Sequence, residues 1–451
     1  MPTTEELRAL GLFDARVPRY TSYPPANHFR PDVGPDTMAC WLSGIPSGSA
    51  VSLYLHVPYC RRLCWFCACR TQGTSSDRPL GPYVERLERE LDIVSRHLPA
   101  DVTLSHIHLG GGTPTILPPV LIRRLGAALK RFRAWREDIR VSVEIDPTEV
   151  DAARIDALAG IGMTRASIGV QDFDPEVQQA IGRAQTFAAT RDVVRMLRAA
   201  GVDSLNMDLL YGLPGQDRAR MAETVHKVLS LEPDRVALYG YAHVPWMAKR
   251  QVMIPADRLP DAEARLTLFR TADAMFRADG YEGVGIDHFA RPGDGLAVAA
   301  REGRLHRNFQ GYTDDATPAL IGIGASAISR LPQGYAQNAS VSSRHAAAID
   351  AGLLATERGH ALTADDRLRA RMISDLMCDF ALDLPAIARD LGRPYPEVDA
   401  LCAGLRRRFR DHIDEREGLL RLTGPAALIA RLAAFELDAY AVPEGRHSRA
   451  L

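Results

Sequence analysis

Between about residue 51 and residue 290, short β-type runs alternate with stretches of helical periodicity, and this alternation restricts the fold more than any other feature. The β-type runs fall at 51–57, 104–109, 140–145, 164–171, 203–211, 235–241 and 281–287. Val84, Leu87, Leu91, Val94 and Leu98 recur at helical spacing between the first two runs, and Leu121, Leu125 and Leu129 mark the next helix. Strands separated by helices need crossover connections and therefore run parallel. Seven such units predict an α/β fold, a complete or partial β/α barrel.

The strand faces say what the barrel holds. Side chains alternate sides with period two. Leu53, Leu55 and Val57 share one face of the first run, with Ser52, Tyr54 and His56 on the other. Val141, Val143 and Ile145 oppose Ser142 and Glu144; Ala166, Ile168 and Val170 oppose Ser167, Gly169 and Gln171; Leu205, Met207 and Leu209 oppose Asn206 and Asp208. A filled barrel interior is dominated by branched apolar residues. One small or polar face on four strands predicts a lumen that takes a polar ligand.

The remaining chain divides by pattern. Residues 1–50 read as an amino-terminal arm and 51–290 as the barrel core. Residues 291–361, rich in Gly and Asn, read as a barrel extension and loops, with one ordered piece at LIGIGASAIS. Residues 362–451 read as a helical domain, with helices at 363–380, 384–391, 395–411 and 425–436. The mixed-sign run 406–417 reads as a solvated face.

Charge and cysteine usage narrow the chemistry. Fifty-five basic residues face 56 acidic ones, so no basic excess offers itself to nucleic acid. No apolar run reaches the ~18 residues of a membrane helix. The acidic, apolar-poor start MPTTEELRAL is not an export signal, and the expectation is a cytoplasmic protein. No long coiled coil or partner helix is evident, so a monomer is expected. Of seven cysteines, Cys40, Cys378 and Cys402 are scattered and read as small core residues. The other four, Cys60, Cys64, Cys67 and Cys69, fall within ten residues directly after the first strand, where barrel chemistry sits. A disulfide framework does not suit a large chain without an export signal. Zinc and an iron–sulfur cluster both remain open, although structural zinc sites usually join two separated cysteine pairs.

Cys60-x₃-Cys64-x₂-Cys67, with Phe66 just before the third cysteine, resembles the signature loop of radical S-adenosylmethionine enzymes. Gly110-Gly111-Gly112-Thr113-Pro114 after the second strand resembles that family's glycine-rich loop. More specifically, RYTSYP (19–24), Cys69, GGGTPT (110–115), GVQDF (169–173), DLLYGLP (208–214), YAHVP (241–245), DHFARP (287–292), HRNFQGYT (306–313) and HSR (447–449) resemble the oxygen-independent coproporphyrinogen III oxidases. The haem chaperones of the same superfamily, which bind haem without decarboxylation, are the alternative. They lack the RYTSYP arm and the fourth cysteine. Ala68 stands where relatives usually carry glycine, and DDATPA (314–319) differs from many relatives.

The resemblance implies a radical S-adenosylmethionine partial barrel that oxidatively decarboxylates two propionates of coproporphyrinogen III to vinyl groups, giving protoporphyrinogen IX. It implies one [4Fe–4S] cluster on Cys60, Cys64 and Cys67, and two molecules of S-adenosylmethionine. Tyr54, Gly111, Glu144, Ala242 and Ile328 would contact the first molecule. Phe66, Gly112, Thr113, Gln171, Arg183 and Asp208 would contact the second. Cys69, Gln310 and Ser22 would serve substrate or proton handling, with Cys69 not binding iron. A low-potential donor such as flavodoxin or ferredoxin would supply electrons. Arg19, Arg291, Arg307 and Arg449 are candidates for the propionates, with His288 and His306 as further candidate substrate contacts.

Overall fold

The computed structural model describes residues 3–441 and 450. Its centre is one twelve-stranded sheet. In chain order the strands are β1 (Ala50–Val57), β2 (Thr103–Gly111), β3 (Trp135–Ile145), β4 (Arg165–Gln171), β5 (Ser204–Tyr211), β6 (Arg235–Gly240), β7 (Glu282–Val284), β8 (His288–Ala290), β9 (Leu320–Ile323), β10 (Ile328–Leu331), β11 (Gly334–Asn338) and β12 (Thr356–Ala361). The spatial order is β12-β11-β10-β9-β1-β2-β3-β4-β5-β6-β8-β7. Strands β1 to β6 are parallel neighbours, and β9 lies parallel to β1 on its other side. The two edges, β12 and β7, do not pair with each other, so the barrel is partial.

Helices Leu80–Ser95, Pro119–Phe132, Ala152–Gly160, Phe187–Ala199 and Arg218–Leu229 connect the parallel strands. Their apolar stripes cover the apolar strand faces: Leu87, Leu125 and Val225 are fully buried, as are Leu53, Leu55, Val143, Ile168 and Met207. Asp151, Thr186 and Asp217 cap three of these helices, each accepting a backbone N–H of the first turn.

Four sequence expectations change. The helix read over 395–411 breaks at Cys402 and ends at Arg408, and a three-stranded sheet joins the helices of the carboxy-terminal domain. The run at 281–287 is not a seventh parallel strand: it breaks into β7 and β8, an antiparallel hairpin added to β6. Gly285, at φ 56°, makes the break, and the Tyr312 ring occupies the space a side chain there would need. Residues 291–361 are not mainly loop. They contain helix Gly295–Arg301, the hairpin His306–Asn308/Gly311–Thr313, strands β9 to β12 and helix Ser342–Asp350. Their glycines mark close strand approach: a Cβ at Gly334 would stand 2.0 Å from the His360 carbonyl oxygen, and one at Gly359 2.1 Å from that of Tyr335. Cys40 is exposed on helix Pro35–Ser43, whereas Cys378 and Cys402 are buried.

The carboxy-terminal part combines helices Ala364–Cys378, Leu384–Leu391, Tyr395–Leu401, Ala403–Arg408 and Ala426–Phe435 with a three-stranded antiparallel sheet, Ala381–Asp383, Leu419–Leu422 and Ile413–Arg416. The amino-terminal arm packs into it. Leu7, Leu12, Phe13, Val17, Tyr20 and Tyr23 share one apolar core with Leu368, Met372, Phe409 and Ile429. Among the described residues no helix is long and apolar enough to cross a membrane.

Candidate functional site

A cavity of about 820 Å³ runs inside the partial barrel. Ser142, Glu144, Ser167, Gly169, Gln171, Asn206 and Asp208, all on the strand faces expected to be polar, line it. At the carboxyl ends of the strands the cysteine loop closes over it, and Cys60, Cys64, Cys67 and Cys69 all face the lumen. The loop is tied to itself: Tyr59–Cys60 pairs with Gln72–Gly73, Gln72 N–H donates to the Pro58 carbonyl at 2.8 Å, and Thr74 N–H donates to that of Cys60 at 3.0 Å.

Around these thiols stand the groups of the neighbouring strand ends. Thr113 Oγ1 donates to Cys60 Sγ at 3.5 Å, and Arg183 Nη1 to Cys64 Sγ at 3.4 Å. Only 9% of the Arg183 side chain is exposed; it also lies 3.2 Å from Asp146 Oδ2 and donates to the Gly169 carbonyl and Gln185 Oε1 at 2.9 and 3.1 Å. Its guanidinium thus already spans the cysteine loop and β4. Gln171, at the end of β4, takes φ 69°, a left-handed conformation uncommon outside glycine. The fully buried Asp172 beside it accepts from Gln216 Nε2 (2.6 Å), Thr224 Oγ1 (2.8 Å) and Asp174 N–H (2.7 Å), which fixes that turn.

Glu144 and Asp208 occupy different electrostatic settings. Burial pushes the Glu144 carboxyl up, but His108 Nε2 at 3.1 Å and Gly111 N–H at 3.0 Å outweigh it and hold the group below the usual carboxylate range. Burial, reinforced by the nearby Glu144 charge, raises Asp208, although Asn206 Nδ2 and Ser167 Oγ donate to it at 2.8 and 3.1 Å. The 38% of the Glu144 side chain that is accessible faces this lumen. Asn206 Oδ1 is buried there without a hydrogen-bond partner among the described residues.

The comparisons with known proteins bear on the whole chain. Residues 54–228 match the radical SAM superfamily. An oxygen-independent coproporphyrinogen III oxidase of Paracoccus denitrificans is 54% identical over 451 residues, the full length of both chains. One of Cereibacter sphaeroides is 50% identical over 445 residues, 98% of each. The solved structure of the Escherichia coli coproporphyrinogen III oxidase, a radical SAM enzyme, superposes with a TM-score of 0.89 at 35% identity, covering 95% of this chain and 100% of that one. The chain belongs to the oxygen-independent coproporphyrinogen III oxidase family.

Membership of this family within the radical SAM superfamily implies a [4Fe–4S] cluster and S-adenosylmethionine. The lumen fits both: it presents thiols as soft iron ligands, two carboxylates for a ligand ammonium or hydroxyl, and a glycine cradle without side chains. A Cβ at Gly110 would stand 2.5 Å from Glu144 Oε1, and one at Gly112 3.0 Å from Cys60 Sγ.

Not every expected residue of this oxidase-family chain reaches the lumen. Phe66, Gly111, Gly112, Thr113, Gln171, Arg183 and Gln310 line it with the cysteines and carboxylates. Tyr54 lies just behind, its hydroxyl 3.0 Å from His56 Nδ1 and its ring 5.7 Å from that of His108. Ala242 lines a smaller cavity beside Arg19, Arg307 and Arg431, while its carbonyl accepts from Gln251 Nε2. Ile328 begins β10, and Ser22 is buried in the arm, donating to the Pro24 carbonyl at 3.0 Å; neither lines the lumen.

The candidate propionate cations also separate. Arg291 lines the lumen but pairs with Asp279 and lies over the Tyr281 ring. Arg19 donates to the Gly240 carbonyl at 2.6 Å. Arg307 is buried 3.7 Å from Asp287 and over the Tyr312 ring. Arg449 lies outside the described residues. His288 lines the lumen with Nδ1 2.7 Å from Asp287, whereas His306 does not. Sequence reasoning passed over His108, Asp146 and Asp172. For His108 the signal was present, because it shares the lumen-facing parity of its strand.

Proposed function

We propose that this protein carries out the anaerobic oxidative decarboxylation of coproporphyrinogen III to protoporphyrinogen IX in porphyrin and haem biosynthesis. The observation that carries this reading is the polar lumen beneath a cysteine loop, in a chain alike over its whole length to oxidases of that name. Cys60, Cys64 and Cys67 hold the cluster. When bound, the cluster and S-adenosylmethionine supply the low-potential electron and the carbon radical that begins the oxidation. For each propionate a hydrogen leaves the β-carbon, carbon dioxide departs, and one electron passes to an outside acceptor.

The chain's own groups bind, orient and exclude water. Glu144, kept ionised by His108 and Gly111, would receive the ammonium of a first S-adenosylmethionine, with Gly111 beside it and Tyr54 just behind; Ala242 and Ile328, which do not line the lumen, keep that role on the resemblance alone. A second molecule is held by Asp208, Gln171, Phe66, Gly112 and Thr113. Arg183 orients its carboxylate while staying braced on Asp146. Two carboxylates on separate strands of the one lumen support two such sites. Cys69 and Gln310, both on the lumen, would serve substrate or proton handling, while Ser22, held on the Pro24 carbonyl in the arm, keeps that role on the resemblance alone. The enclosing barrel keeps water from the reacting carbon. A flavodoxin- or ferredoxin-type donor, a monomeric state and a cytoplasmic location complete the reading.

The test is anaerobic turnover. Reconstituted protein is incubated with coproporphyrinogen III, S-adenosylmethionine and a reductant. S-adenosylmethionine-dependent protoporphyrinogen IX is expected; tight haem binding without turnover would instead establish the chaperone activity.

A further inference from the structure

Trp246, Met247, Val252 and Met253 are 45%, 68%, 71% and 56% exposed. Four large apolar side chains left open within eight residues mark an interaction site rather than scattered surface. This segment lies directly against the cysteine loop. Gln251 Nε2 donates to the Phe66 carbonyl at 2.8 Å, and Arg250 Nη2 donates to Thr71 Oγ1 at 2.7 Å. Ile254 and Tyr241 pack with Trp65 and Phe66.

The charge around the patch is one-sided. On these two segments Arg62, Arg70, Arg78, Lys249 and Arg258 are exposed. Of their exposed acids, Asp77 is already paired with Arg61, which leaves Asp257. In a chain of formal net charge −1, exposed cations therefore outnumber exposed acids on these two segments, with Lys249 and Arg258 beside the apolar residues and Arg70 next to the Thr71 that Arg250 binds. Arg16 of the arm adds a further cation, 5.9 Å from the Trp246 ring.

We propose that this face docks a small acidic one-electron carrier protein, which delivers electrons through the cysteine loop to the cluster. The proposal rests on reading the loop as the cluster's seat. An apolar centre with a cationic rim matches the chemistry of a transient redox encounter. Such interfaces are small, and complementary charge sets their rate and orientation.

The test uses the reconstituted full chain, with Met247→Glu and Lys249→Glu combined, and flavodoxin as the acidic carrier. Neither residue lines the lumen. Binding of oxidised flavodoxin is followed by calorimetry at low salt, and turnover is measured with reduced flavodoxin and, separately, with dithionite. The expected result is flavodoxin binding weaker by about ten-fold or more, flavodoxin-supported turnover reduced to match, and dithionite-supported turnover within two-fold of wild type, about the cost of reversing charge on a steering surface. Unchanged binding, unchanged flavodoxin-supported turnover, or equal loss with both reductants would each overturn the proposal. If the wild type makes no product with either reductant, the functional reading itself fails; the binding result still stands alone.

Discussion

Replacing Gly112 by alanine tests whether the glycine turn sets the position of the cysteine loop. The added Cβ would stand 2.7 Å from the Tyr59 carbonyl oxygen, 2.9 Å from the Pro58 carbonyl carbon and 3.0 Å from Cys60 Sγ. Ordinary contact begins at 3.4 Å, so one side must retreat by about 0.7 Å. Two of the three atoms are backbone. Tyr59–Cys60 is pinned by its pairing with Gln72–Gly73, and Gly112 N–H is held by the Val57 carbonyl at 2.8 Å. Overpacking against fixed backbone costs about 1–3 kcal/mol, and here the displaced group is a proposed cluster ligand. Gly110→Ala is the control. Its Cβ would meet Glu144 Oε1 at 2.5 Å, the far end of a side chain that can turn away. That change spares the loop but removes the carboxylate from its bonds to His108 and Gly111. Losing a charged hydrogen bond, about 1.5–3 kcal/mol, weakens S-adenosylmethionine binding by roughly ten- to a hundred-fold. Iron and sulfide per chain after anaerobic reconstitution, and S-adenosylmethionine binding by equilibrium dialysis, separate the two. Gly112→Ala should lose iron, and Gly110→Ala should keep iron but bind S-adenosylmethionine weakly. A Gly112→Ala protein with full iron content and wild-type binding would refute the reasoning.

Further expectations follow from individual side chains. Cys69→Ser keeps its iron and loses decarboxylation; an iron-deficient variant would make Cys69 a ligand. Asp172→Asn must set its amide NH₂ either against Gln216 Nε2 or against Thr224 Oγ1 and the Asp174 N–H, so it should cost about 1–3 kcal/mol in unfolding free energy and raise the KM for S-adenosylmethionine through Gln171. Burial raises the Asp287 carboxyl, but Arg307 and His288 outweigh it and hold it at about 2 against 3.8 unfolded. That depression contributes about 2 kcal/mol of stability above pH ~4, which is lost as pH falls toward 2. Asp287→Asn should flatten this acid limb of a denaturation series. It should also destabilise the protein by about 3–5 kcal/mol at neutral pH, because it strands the buried Arg307 charge.

How much of this could be read in advance depended on the range of the signal. Period-two alternation placed Glu144, Gln171 and Asp208 on the lumen correctly, because a register slip would expose an entire apolar face. Cys60 to Cys69 were legible as a local cluster. The lumen's inner ion pairs were not: Arg235 finds Asp294 across 59 positions, and Arg140 finds Asp314 across 174. Glycines misled where tertiary contact, not turn chemistry, required them. Gly334 and Gly359 sit inside strands and let β11 and β12 approach, so a stretch that reads as loop is sheet. The opposite happened at Gly285, where the Tyr312 ring and a left-handed residue interrupt a run with strand composition.

The most direct measurement follows the hydrogen. Coproporphyrinogen III deuterated at the propionate β-carbons is turned over anaerobically with unlabelled S-adenosylmethionine, and the 5′-deoxyadenosine is recovered for mass spectrometry. The account predicts deuterium in the 5′-deoxyadenosine, with its formation tied to the vinyl groups made. Unlabelled 5′-deoxyadenosine alongside protoporphyrinogen, or product formed without consumption of S-adenosylmethionine, would contradict it.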